Sequence, residues 1–135
     1  MAFPLLDSNV ILRHLLQDHD DHSPRATALF ERIRDGDLVA HISDTVVTET
    51  MFTLDRGYKQ PRTLIRDAML DLLDEPNLLL AGKARWRRIL QIYVERTTSL
   101  GDAQQLELME RMGLREIISF DKDFDDLPGI TRIEP

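Results

Sequence analysis

Every short apolar run in this chain stops at a polar residue, and longer segments with apolar side chains at helical spacing lie between the runs. That alternation restricts the fold to an α/β domain with a mainly parallel sheet, because parallel neighbours need a long crossover and helices supply it. Strands are expected at Phe3 to Leu6, Leu38 to Ile42, Asn77 to Ala81 and Glu116 to Phe120, with a last edge strand at Ile130 to Ile133. A short helix should follow Asp7 through Val10, Ile11, His14 and Leu15. Further helices should run from Ser23 to about Arg34, from Ser43 or Asp44 to about Arg56, from Pro61 through Leu73, from Lys83 to Arg96 and from Ser99 to Gly113. Ser23 before Pro24, Ser43 and Ser99 are N-cap residues by type, and Gly36, Gly57 and Gly113 read as terminators. Trp86, Ile89, Leu90 and Tyr93 recur at i, i+3, i+4 and i+7, one apolar stripe. At 135 residues, 42% of them hydrophobic, the chain can build one real core, and no repeat or linker divides it. A single domain over residues 1–135 is expected.

The chain carries a net charge of −7, which argues against binding a polyanion by bulk attraction. Any nucleic acid would need a local reason to bind. Cysteine is absent, which removes disulfide scaffolds, thiolate zinc sites and cysteine nucleophiles, and fits a reducing compartment. No apolar stretch approaches the roughly 18 residues of a membrane span. The start of the chain lacks the basic flank and apolar core of a secretory signal. A cytoplasmic location without membrane contact is expected.

In open α/β sheets ligands bind beyond the carboxyl ends of the strands. Asp7 follows Phe-Pro-Leu-Leu and Asp121 follows Ile-Ile-Ser-Phe, so on adjacent parallel strands both carboxylates would share one rim, although aspartate is also common at such turns. Glu49 shares a helical face with Val46, Phe52 and Thr53, the side expected to pack inward. There it would need a cation, a strong donor or pairing with Arg13. Asp102, third in its helix after Ser99, makes a capping-box-like pair and is in line with Leu106 and Met109, towards the sheet. Four carboxylates brought together repel one another, whereas Mg²⁺ or Mn²⁺ neutralises such a hard, oxygen-only set.

Leu-Leu-Asp7-Ser8-Asn9-Val, Val-Val-Thr-Glu49, Ser99-Leu-Gly-Asp102-Ala and Ser-Phe-Asp121-Lys-Asp123-Phe-Asp125 resemble, in order and spacing, the acidic motifs of PIN-domain ribonucleases. The likeness extends to the VapC-like toxins of bacterial toxin–antitoxin pairs and covers essentially the whole chain. It implies a three-layer α/β/α domain with a central, mainly parallel sheet of four to five strands. It also implies a Mg²⁺- or Mn²⁺-dependent endoribonuclease that forms a homodimer and is inhibited by a cognate antitoxin. By the same likeness Asp7, Glu49, Asp102 and Asp121 correspond to the family's acidic residues, with Asp7 and Asp102 as metal ligands. Ser8, standing where the family often has threonine, is a supporting residue with Asn9, Ser99, Asp123 and Asp125. Which of Asp121, Asp123, Asp125 and Asp126 reaches the metal stays open, Asp121 being favoured because it directly follows the strand.

Hydrolysis of a phosphodiester needs an activated water in line with the leaving oxygen and positive charge on the phosphate, and metal meets both needs without histidine. The family implies 5′-phosphate and 3′-hydroxyl products. Nothing in the four acids selects RNA over DNA, so the substrate class rests on resemblance. Lys83, Arg85, Arg87 and Arg88 surround Trp86. They read as the solvated face of a buried stripe or, alternatively, as an RNA-binding patch with a stacking aromatic. His19-Asp-Asp-His22 reads as solvated loop. His14 and His41 have no assigned role. Exposed apolar faces on the helices from Asp44 or Pro61 could receive the antitoxin or a second subunit. Two other classes stay open: a non-catalytic PIN-like binding or assembly module, and an aspartate-dependent phosphoryl-transfer or receiver domain, against which Asn9 stands where the former's acid would be.

Overall fold

A computed structural model describes residues 2–135. In chain order it contains α1 (Ser8–Leu16), α2 (His22–Arg34), β1 (Ala40–His41), α3 (Asp44–Phe52), a π turn (Thr53–Gly57), α4 (Arg62–Asp74) and β2 (Leu78–Leu79). These are followed by α5 (Lys83–Glu95), α6 (Leu100–Met112), β3 (Glu116–Ile118), a 3-10 turn (Lys122–Phe124) and β4 (Thr131–Ile133). The helices form where local chemistry starts and stops them. The hydroxyls of Ser43 and Ser99 accept the N–H groups of Val46 and Asp102, each at 3.1 Å, caps worth about 1 kcal/mol apiece. Gly113 closes α6 at φ 70, a left-handed conformation that glycine adopts without a Cβ penalty. The stripe of α5 is fully inside, with Trp86, Ile89, Leu90, Ile92 and Tyr93 buried. Burial stabilises by about 1.5–3 kcal/mol for each large apolar side chain.

The sheet departs from the expected single array of four to five strands. Two parallel pairs form instead, β1 with β2 (Ala40↔Leu78, His41↔Leu79) and β3 with β4 (Glu116↔Thr131 to Ile118↔Ile133). The segment Phe3 to Leu6 makes only an isolated parallel bridge, Leu5 to His41. It is held by two backbone hydrogen bonds, Leu6 N–H to His41 O and His41 N–H to Pro4 O, both 2.8 Å. Proline lacks the N–H that a longer ladder there would use. That bridge still sends the chain across β1 and delivers Asp7 directly to the start of α1.

Two helix boundaries also differ. α2 begins at His22, and Ser23 is buried in its first turn, accepting the His19 N–H. The start is capped by His19, whose Nδ1 accepts the N–H groups of Asp21 and His22 at 3.2 and 2.9 Å, while the His19 and His22 rings stack 4.0 Å apart. α3 becomes a π turn at Thr53–Gly57, and the left-handed residue that follows is Lys59 at φ 51, not Gly57. Among the described residues no helix is long and apolar enough to cross a membrane.

Candidate metal centre

Asp7 occupies the N-cap of α1 and accepts the Ser8 N–H at 2.7 Å. Negative charge there is favoured by the helix dipole. The Ser8 hydroxyl donates to Glu49 Oε2 at 3.0 Å, which ties the first turn of α1 to α3. Glu49 is exposed, which corrects its expected inward face. The inward side of α3 carries Val46, Val47, Thr50 and Met51, while Phe52 is 53% exposed. Arg13 does not pair with Glu49; its guanidinium meets Asp18 at 2.9 Å. Asn9 is exposed and lines a cavity of about 720 Å³ together with Arg13, His22, Arg25 and Arg32.

Asp102 is half-buried at the start of α6. Burial is the chief reason its carboxyl is held above the usual aspartate range; the bond with Ser99 opposes this, and the charges of Asp121 and Asp123 add to it. Those two neighbours come from the loop after β3. Asp121 donates its N–H to Ser119 Oγ at 3.0 Å, and its Oδ1 accepts the Asp123 N–H at 2.9 Å. Buried Phe124 pins the following 3-10 turn to the core. Asp102, Asp121 and Asp123 each offer an oxygen, and these oxygens all lie within 4.8 Å of one another.

Asp7 and Glu49 lie outside that group of three. Asp125 turns away to Arg132, with oxygens 2.6 and 3.2 Å from the guanidinium. The donor set of the cluster is carboxylate alone, which suits a hard divalent cation such as Mg²⁺ or Mn²⁺ better than a nitrogen- or sulfur-seeking metal. Burial foremost, with a smaller share from the charges of Asp121 and Asp123, raises the Asp102 carboxyl, and a bound cation would offset both costs of the charged form.

Trp86 is 1% exposed and its Nε1 donates to Asp44 Oδ1 at 2.6 Å, so it offers no stacking face. Arg85 clasps the same Asp44 at 2.7 and 2.8 Å, Arg87 meets Asp74 at 2.6 Å and Arg88 clasps Glu110 at 2.6 and 2.8 Å. Two residues without any sequence signal also bear on the site. Arg62 donates to the carbonyls of Tyr93 and Thr98, ahead of α6, and Arg132 to that of Ser119, two residues before Asp121, contacts that leave no periodic or motif trace.

A family model described as PIN domain matches residues 5–130. The chain is also similar to a VapC ribonuclease of Aquifex aeolicus strain VF5, at 24% identity over 131 residues, which cover 97% of this chain and 96% of that relative. The chain belongs to the PIN-domain family, and with it to the α/β/α class.

Proposed function

We propose that this PIN-domain chain is a divalent-metal-dependent endoribonuclease and the toxin of a toxin–antitoxin pair. The observation that carries the reading is the meeting of Asp102, Asp121 and Asp123, from the start of one helix and the end of one strand, within 4.8 Å. The full-length similarity to a VapC ribonuclease supports the substrate class and an antitoxin partner. Asp102, Asp121 and Asp123 would hold Mg²⁺ or Mn²⁺, and Asp7 and Glu49, each bonded to Ser8, would be the further acidic residues of the family's pattern. Such an ion, when bound, supplies positive charge for the phosphate oxygens and eases the ionisation of the attacking water.

The rest is the work of side chains. Ser99 fixes the Asp102 backbone through its cap, and Ser119 does the same for Asp121. Ser8 holds Glu49 in one orientation. RNA would approach along the cleft beside Asn9, whose lining includes Arg13, Arg25 and Arg32, with phosphate displacing Asp18 from Arg13 and Asp21 from Arg25. Arg85, Arg87 and Arg88 would reach phosphate only by exchanging their carboxylate partners. Phe52, Tyr58 and Leu64, exposed on and beside α3 and α4, are the apolar surface we assign to a second copy or the antitoxin.

The test is cleavage of end-labelled single-stranded RNA by partner-free protein with Mg²⁺, Mn²⁺ or EDTA. Cutting should require metal and fall on the order of 100-fold in Asp102→Asn. Folded protein that neither cuts RNA nor responds to metal would instead be a binding module.

A further inference from the structure

The two halves of the acidic cluster are built alike. On the α6 side, the Arg62 guanidinium donates to the carbonyls of Tyr93, at 3.0 Å, and Thr98, and the next residue, Ser99, accepts the Asp102 N–H. On the β3 side, Arg132 donates to the Ser119 carbonyl at 2.9 Å, and the Ser119 hydroxyl accepts the Asp121 N–H. In each half an arginine grips the carbonyl of a residue at or next to the serine that fixes an aspartate.

Neither arginine is a loose surface charge. Arg62 lies 4.2 Å over the ring of buried Tyr93, whose hydroxyl donates in turn to Asp55 at 3.3 Å. The Arg132 side chain is only 10% exposed and is fixed by both oxygens of Asp125. The segment Arg62 holds is strained, because Thr97 sits at φ 51 without being glycine. Such a residue persists only where its surroundings over-determine it. A guanidinium presents its donors in a fixed plane, so its geometry restricts the groups it holds more than a freely rotating ammonium does.

Resting on the metal-dependent reading of the site, we propose that Arg62 and Arg132 are positioning residues that set the spacing of Asp102 against Asp121 and Asp123 for cation binding. They touch neither the ion nor the substrate; they fix the backbone from which the ligands project. Losing either lets one half of the cluster relax under like-charge repulsion, so the ion must pull it back. Groups hydrogen-bonded directly to a metal ligand are worth about 10- to 100-fold in metal affinity, and these arginines, one bond further out, should act at the lower end of that range.

The test is a calorimetric titration of the metal-free full chain with Mn²⁺, well below the unfolding temperature, for wild type, Arg62→Met, Arg132→Met and Ile65→Val. Ile65 is buried on the same helix as Arg62, and its substitution loosens the core without touching either clamp. Both arginine variants should bind Mn²⁺ at least ~10-fold more weakly and recover RNA cutting at high Mn²⁺, while Ile65→Val keeps wild-type affinity. Arginine variants that stay folded and bind as wild type does would overturn the positioning role. The same holds if Ile65→Val weakens binding as much. A wild type that binds no Mn²⁺ removes the metal reading itself, and this role with it.

Discussion

Asp102 is the residue whose chemistry is most constrained. Its carboxyl is raised, first by burial and then by Asp121 and Asp123, so the folded chain holds this proton more tightly than the unfolded chain does. The charged form therefore costs stability above the raised value, and the cost is relieved as pH falls through it. Metal-free Asp102→Asn should unfold at the same or a higher temperature than wild type while losing the Mn²⁺-induced shift, read by thermal unfolding with and without the ion. A clear loss of metal-free stability would mean that the carboxylate serves mainly as structure. Mn²⁺ affinity of the wild type should decline on acidification before an ordinary aspartate would begin to titrate, because the proton competes for the same oxygen. Ser99→Ala removes the cap below it and should cost about 1 kcal/mol in denaturant unfolding.

Packing of α1 on α2 carries its own pH signature. His14 stacks on Phe30 with ring centroids 4.4 Å apart and shares Thr27 Oγ1 at 3.0 Å. Burial foremost, with Arg34 next, lowers its pKa below the ordinary 6.5. Its neutral form is thus favoured by the fold, and this contribution is lost as pH drops from that ordinary value towards the lowered one. His14→Phe keeps a ring on Phe30, and Gln17 still bonds Thr27 at 2.8 Å. The urea midpoint of that variant should vary less than wild type between about pH 7.5 and pH 5.5; an unchanged pH profile would place the sensitivity elsewhere. The helices were legible in the sequence because caps such as Ser43 and Ser99 and the stripe through Trp86 act locally. The strands were less so: Pro4 interrupts the first, and the others hold only two or three ladder residues, a limit set by tertiary placement. Asp102 and the Asp121 loop could be read from strand ends and caps. The inward orientation expected for Glu49 failed because the apolar side of α3 is Val46, Val47, Thr50 and Met51. Arg62 and Arg132 were invisible, since a guanidinium on a distant carbonyl obeys no spacing.

For the whole molecule, the proposed activity raises the question of how a chain of net charge −7 would accept RNA. Much of its positive charge is already spoken for, as in the pairs Arg85–Asp44, Arg87–Asp74, Arg88–Glu110 and Arg132–Asp125. The cleft beside Asn9 gathers Arg13, Arg25 and Arg32; Arg13 meets Asp18 at 2.9 Å and the well-exposed Arg25 meets Asp21 at 3.2 Å, pairs that phosphate would have to replace. If phosphates lie there, replacing Arg25 and Arg32 by alanine should raise KM several-fold and flatten the slope of log affinity against log salt by about 1.4. An unchanged slope would put the RNA path elsewhere. The most direct test of a carboxylate-held metal that hydrolyses RNA is the chemistry of the cut ends. Water attack leaves a 5′-phosphate and a 3′-hydroxyl, and that pair of ends is the expected result in Mg²⁺ or Mn²⁺, with no products in EDTA. A 2′,3′-cyclic phosphate with a 5′-hydroxyl, formed without metal, would mean that the ribose 2′-oxygen is the nucleophile and would contradict the metal centre at Asp102, Asp121 and Asp123.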